Sequence, residues 1–387
     1  MIEWNKKNSI KYKHRKKHQN MKQTMRLLWQ KTDTEEARLL RVYAETGEIT
    51  IPAFIEKYPI TEIGAYCFSA SEHLEGKSFY TTETSVTTLR TAAGNDLVKL
   101  CLPDTVRIIH NAAFYNCRKL ESLAIGADTT EIGSDVFINC NSLKKLHIRC
   151  QNHKAESAKA ILSRISSELE VYYYDCETTY EYNAHHKHNE SHEYNAHHKY
   201  NESHQYYESH DEETGTSERK TIFASLLYPE YFETYDEIAP AHIFGRHIEG
   251  EGFRARQCFK DGQILFGEYD KIFQKAKAEE TTITVGRMCI HRLLFPIELT
   301  EEARENYVLF LKEHEEEMGI FFVKEKDKVA LECYFQHHLL SDAGIDTLIS
   351  CVTDRKWSEG VSSILHWKKQ FYENTPKNSY DFELDFD

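Results

Sequence analysis

Histidine offers the densest chemistry in this sequence. Eight of the 21 histidines fall in residues 174–218, where "EYNAHHKHNESH" (Glu181 to His192) is followed by "EYNAHHKYNESH" (Glu193 to His204). Neutral imidazole is a common ligand of zinc, copper and nickel. His188 and His192 are four apart, a spacing that shares one helix face. His185, His186, His188, His192, His197 and His198 are therefore the metal candidates. No thiolate accompanies them and their polar surroundings supply no fixed geometry. The expectation is adventitious binding only, with no assigned metal or cofactor.

Other reactive residues are dispersed. The ten cysteines include no C-x-x-C pair, which reads as reduced thiols. Cys289, Cys333 and Cys351 lie among apolar residues and read as small core residues. His337 and His338 suit a helix C-terminus, where imidazole meets the last carbonyls. "EGKSF" (Glu75 to Phe79) resembles the end of a phosphate-binding loop, but Ser71 stands where that motif needs glycine. "GRHIEGEGF" (Gly245 to Phe253) lacks strand-turn-helix framing and reads as a turn between helices. No H-E-x-x-H, G-x-S-x-G or kinase set occurs. The reading is non-enzymatic, with no catalytic residue.

The elements that must position any functional side chain come from a repeat. Leu74, Leu97, Leu120 and Leu143 recur every 23 residues, as do Ile63, Val86, Ile109 and Ile132. Phe79, Leu102, Ile125, Ile148 and Val171 keep the same step, and so do Phe114 with Phe137 and Cys117 with Cys140. A period of this length with L-x-x-L-x-L spacing marks a leucine-rich solenoid. In "LESLAI", Leu123 and Ile125 face one side of a strand, and neighbouring rungs must cover them. The step from Ile109 to Phe114 suits a turn whose ring plugs the interior. On the outer strand positions, Lys99, Glu121, Lys144 and Lys145 project to solvent and are the protein-binding candidates.

"ITEIGAYCFSASEHL", "VRIIHNAAFYNCRKLESLAI" and "TTEIGSDVFINCNSLKKLHI" resemble the BspA-like leucine-rich repeat proteins of bacteria, over residues 49–173. The resemblance implies protein binding or adhesion and no catalytic residue. The copy from Val86 to Asp96 departs from the pattern, with Thr91 in place of Phe, and predicts a looser rung. Residues 25–52 read as a polar-faced cap forming a short hairpin. "ESAKAILSRISSELEVYYYD" predicts a helix and then a last rung, with Leu169 and Val171 in phase with Leu146 and Ile148.

The chain has 387 residues, a net charge of −14 and a pI near 5.9, which argues against a general nucleic-acid binder. No apolar run is long enough for a membrane span, and no export signal is seen, so the expected location is cytoplasmic. A cell-surface adhesin exported by another route is the alternative. Residues 1–20 read as a disordered basic leader, or as sequence before a true start at Met21 or Met25.

After the histidine-rich segment, residues 219–374 read as helical. "FASLLYPEYFETYDEI" places Leu226, Leu227, Tyr231 and Phe232 on one helix face. Thr300 is the expected N-cap of "LTEEARENYVLFLKEHEEE". The last helices, each 12–15 residues with tight turns, resemble degenerate ankyrin-type pairs. Residues 375–387 alternate acids with Tyr380, Phe382 and Phe386, which suits a linear motif that adds to a partner's sheet edge. The expected fold class is thus α+β and multidomain. A leucine-rich solenoid (residues 21–173) is followed by a disordered linker (174–218), an all-α helical-repeat-like domain (219–374) and a tail. The expected role is interaction with unidentified protein partners; metal binding through the histidines is a further alternative.

Overall fold

The computed structural model describes residues 24–71, 80–82, 88–180, 206–211, 216–238 and 243–373. Two sheets form the sides of the solenoid, and its interior lies between them. The first side begins with an antiparallel hairpin of β1 (Met25–Lys31) and β2 (Ala37–Ala44), whose turn lies at residues 32–36 and not at Thr46–Glu48, where the cap reading set it. The chain then runs through β3 (Glu48–Thr50) and β4 (Phe54–Ile55) to β5 (Tyr58–Ile63), which pairs in parallel with β2.

The next stretch leaves the stack. β6 (Tyr80–Thr81) pairs with β1, and β7 (Arg90–Thr91) with β2, instead of forming a rung. The chain returns at β8 (Lys99–Cys101), directly beside β3, and β9 (Ile108–Ile109), directly beside β5. Ile63 and Ile109 are therefore neighbours, with no rung at Val86 between them. This corrects the expectation of a loose rung. The physical cause is the missing plug: Thr91 stands where the ladder needs a ring. Phe68 stacks straight onto Phe114 at 5.3 Å, and Phe114 onto Phe137 at 5.4 Å. Leu97 rejoins the core fully buried. Leu74, Phe79 and Val86 lie outside the described residues.

From there the rungs follow the sequence. β10 (Ser122–Ile125) and β12 (Lys145–Cys150) stack in parallel on β8, with Leu100, Leu123 and Leu146 in one inner row, and on the other side β11 (Glu131–Ile132) stacks on β9. Each such burial contributes roughly 1.5–3 kcal/mol. The last step is longer. α1 (Glu156–Leu162) fills the interior with Ala158, Ile161 and Leu162, and β13 (Leu169–Tyr180) pairs Val171 with Leu146. Val171 therefore sits two residues out of the 23-residue phase, which would have set it beside Ile148.

β13 is not the sheet's end. β15 (Thr216–Tyr228) runs antiparallel to it, with β14 (Tyr206–Asp211) beyond. β16 (Phe232–Ile238) and β17 (Ile243–Glu249) then form a separate hairpin. The helix expected over "FASLLYPEYFETYDEI" is thus two strands broken at Pro229. On β15, Ala224 and Leu226 face the solenoid core while Ser225 and Leu227 lie under a helix, and all four are fully buried. A strand covered on both faces loses its period of two, so its apolar run imitates a helix. "GRHIEGEGF" likewise belongs to β17 and a turn at Gly250 before α2 (Gly252–Ala255), not to a turn between helices. The ends of the expected linker are strand, in β13, β14 and β15; residues 181–205 and 212–215 lie outside the described residues.

After a small hairpin of β18 (Phe259–Lys260) and β19 (Gln263–Ile264), the chain is helical. The helices are α3 (Phe266–Glu279), α4 (Thr282–Leu294), α5 (Glu301–Glu313), α6 (Glu315–Glu325), α7 (Lys328–Gln336), α8 (Asp342–Asp354) and α9 (Ser358–Trp367), closed by a π-helical turn at Lys368–Glu373. Thr300 caps α5 as expected, accepting from the Ala303 amide at 3.2 Å. His337 and His338 end α7, His338 with φ 51°. Buried Arg292 donates twice to Asp270, at 2.7 and 3.0 Å, and Tyr307 adds a third bond to the same carboxylate.

The helices and the solenoid share one hydrophobic core, which runs from Leu27 to Trp367. Arg256 pins them together. Its guanidinium donates to the carbonyls of Ile165, Ser167 and Pro229 at 2.6–2.8 Å, and lies 5.1 Å from the Tyr231 ring centroid.

Candidate interaction face

Strand alternation sorts the parallel sheet into inner and outer rows. Lys99, Ser122, Lys145 and Glu170 stand side by side in one outer row, and Cys101, Ala124, His147, Tyr172 and Ser225 in the next. Lys99 and Lys145 are exposed in the outer row, and Glu121 and Lys144 are exposed just before β10 and β12 begin. Their charges are largely answered: Lys99 pairs with Glu48 at 2.8 Å, and Lys145 approaches Glu170 at 3.8 Å. The face is therefore mixed in charge and not a simple cationic strip.

Its centre is aromatic. The His147 ring stacks on Tyr172 at 5.3 Å, and its Nδ1 lies 2.8 Å from the Tyr174 hydroxyl. Burial, reinforced by Lys145 and Arg149, pushes the His147 pKa down to about 4, so the ring is neutral at pH 7. Arg149 closes one margin. It is buried, bonds Asp104 and the Leu102 carbonyl, and lies 3.5 Å from the Cys101 Sγ.

At its other end the same face is covered by α4. Arg287 bridges Glu168 and Glu170, the latter at 2.5 Å, and Thr284 donates to Glu168 at 2.8 Å. Burial raises the Glu170 pKa, but His291, Arg287 and Lys145 outweigh it and hold the carboxyl at about 2. Ser225 Oγ lies 2.7 Å from His291 Nδ1, and Tyr172 meets the His291 ring edge-on at 5.9 Å. Sequence reading missed this serine–histidine contact because the residues lie on a strand and a helix far apart in the chain. Its geometry resembles the start of a nucleophile–base pair. Ser225 is fully buried, however, so the contact satisfies two polar groups within the interface between sheet and helix.

Of the four expected face residues, Lys99 and Lys145 share the outer row, while Glu121 and Lys144 are exposed at the strand starts. The histidines His185, His186, His188, His192, His197 and His198, and the tail residues Tyr380, Phe382 and Phe386, lie outside the described residues. Among the described residues no group of three or more His, Cys, Asp or Glu is placed to hold a metal ion. The described cysteines are free. Cys117 and Cys140 each donate to a carbonyl of the preceding rung, Phe68 at 3.0 Å and Phe114 at 3.1 Å. No helix among the described residues is long and apolar enough to cross a membrane.

Residues 44–160 match, in six copies, the family described as BspA type leucine rich repeat region. With its parallel rungs, inner leucine rows and stacked phenylalanines, this part of the chain is a BspA-type leucine-rich repeat array. Such arrays are typically non-enzymatic, and the family suggests a protein-interaction or adhesin-like role. The match ends at residue 160 and lends nothing to the ankyrin likeness of the later helices. No curated protein and no solved structure matches the chain.

Proposed function

We infer that the chain is a non-enzymatic interaction protein whose open sheet face binds a protein partner. One observation carries this reading. The outer side chains of one continuous sheet lie under α4 at Ser225, yet stand exposed at Lys99 and Lys145, with Glu121 and Lys144 exposed at the strand starts beside them. The His147, Tyr172 and Arg149 side chains between these ends supply the amphipathic groups that dominate binding energy at interfaces. The helices fixed on the covered end form a wall beside the open part, so face and wall act as one surface. The acidic segment with Tyr380, Phe382 and Phe386 is a second partner-contact element in this reading.

The test is a photo-crosslinking residue placed at Ala124 in the full chain, activated in lysate of the cells that make it. The reading expects one saturable adduct, displaced by excess unmodified chain. An adduct pattern equal to that from a crosslinker at Lys271, on the exposed side of α3, would overturn it.

A further inference from the structure

We propose that the chain's own C-terminal segment, residues 379–387, docks along β12 on the open face and competes with the partner. The inference rests on the reading of that face and names its first occupant.

β12 carries the cations of the face. Lys144 and Lys145 are exposed at its start, whereas Arg149, two outer positions beyond Lys145, is buried and already paired with Asp104. These cations occur in a chain of net charge −14. The segment "SYDFELDFD" has the complementary pattern. Asp381, Glu383, Asp385 and Asp387 alternate with Tyr380, Phe382, Leu384 and Phe386. In an extended chain alternate residues face opposite sides, so the acids would fall in one line and the rings in another. Their step, about 6.6–7 Å for every second residue, is also the step from Lys145 to His147 to Arg149. The acids can thus be turned toward Lys144 and Lys145, with the rings on the opposite side of the segment.

The position of the chain end permits it. The turn at Lys368–Glu373 packs against α7, where the Tyr372 hydroxyl bonds the Leu340 amide and carbonyl at 3.3 and 3.0 Å. At the opposite end of α7, Asp327 is close enough to Tyr172 and His291 to act on both electrostatically. Nine helical residues span only about 13 Å. Residues 374–387 can extend to about 46 Å, so they can reach β12 with length to spare.

Carbodiimide coupling of the full chain tests this, because it joins carboxylates to lysine amines that are in contact. Unlabelled and heavy-isotope chains are mixed so that links within and between copies are distinguished. We expect links from Asp381, Glu383 or Asp385 to Lys144 or Lys145 within one copy. They should exceed links to Lys271 and Lys275 by about tenfold, given the high effective concentration of a tethered segment, and should fall in high salt. Links spread evenly over surface lysines would overturn the proposal. Links chiefly between isotope species would replace it with a second copy as occupant.

The two readings fail separately. If partner capture at Ala124 depends on Lys144 and Lys145 but no tail links form, the tail proposal falls and the face reading stands. If tail links form and no partner is captured even from the D381N/E383Q/D385N/D387N chain, the foreign-partner reading falls and self-docking stands.

Discussion

The hydroxyls of Tyr173 and Tyr228 lie 2.7 Å apart, both fully buried, where the last parallel strand of the solenoid meets the antiparallel strand that leads into the helices. Each satisfies the other in a place water does not reach. Burial pushes both phenols well above their ordinary pKa, so both stay protonated. Removing one hydroxyl strands its partner. Tyr228→Phe should destabilise the chain by about 1–3 kcal/mol, whereas the double change to Phe should recover most of that loss. Urea denaturation of the three variants checks this, and additive losses would count against the pair.

Arg256 should matter more. Its guanidinium donates to the carbonyls of Ile165, Ser167 and Pro229 together, in a site closed to solvent. Burial lowers its pKa to about 10, partly offset by Tyr231 and Tyr228, so it remains charged at neutral pH. Arg256→Met should cost about 3 kcal/mol or more, because several buried acceptors lose their donor together. The expected sign in limited proteolysis is early cleavage between β15 and α2. Unchanged cleavage would show that the core alone holds the helices to the solenoid.

The phenylalanine ladder gives a paired prediction. Phe114→Ala leaves a cavity between Phe68 and Phe137 and should cost about 3–5 kcal/mol. Thr91→Phe restores the family pattern in sequence, but Thr91 pairs with Tyr43 on the cap and not with the ladder. It should therefore give no gain in melting temperature. A clear gain would mean that the 86–96 segment enters the stack after all.

How far the fold could be read in advance follows from the same residues. The ladder was legible because each rung repeats its residue types around one interior: Leu100, Leu123 and Leu146 are neighbours in space as in phase. The departure of the stretch between Phe68 and Leu97 was only half legible. Thr91 signalled a fault, but a single substitution does not say whether a rung loosens or leaves. β15 was misread because burial on both faces erased its alternation. Lys99 and Lys145 were legible from strand parity, whereas Glu121 and Lys144 are exposed because they precede their strands. The contacts of Arg256, and of Ser225 with His291, were not, since they depend on how an antiparallel strand and a helix return to the sheet.

Acid should weaken the sheet around His147 first. His147 has a pKa near 4 in the folded chain against about 6.5 when exposed, so the unfolded chain binds the extra proton first. Its stabilising contribution is complete above about pH 6.5 and is lost as pH falls toward 4. The groups facing it are Lys145, Arg149, Glu170, Tyr172 and Tyr174. Burial lowers His291 as well, which gives the same sign. Glu170, held near 2, loses its contribution only at lower pH. His147→Asn should flatten, without abolishing, the fall in melting temperature across this range. An unchanged slope would place the titration elsewhere.

Charge reversal at the start of β12 tests the binding role of the open face. Lys144 and Lys145 are exposed and lie outside the core, so K144E/K145E should leave the melting temperature within a few degrees of the parent. The account predicts that this variant loses the saturable adduct formed from Ala124, while K271E/K275E on α3 keeps it. Equal capture by both variants would contradict the assignment of this face as the binding surface.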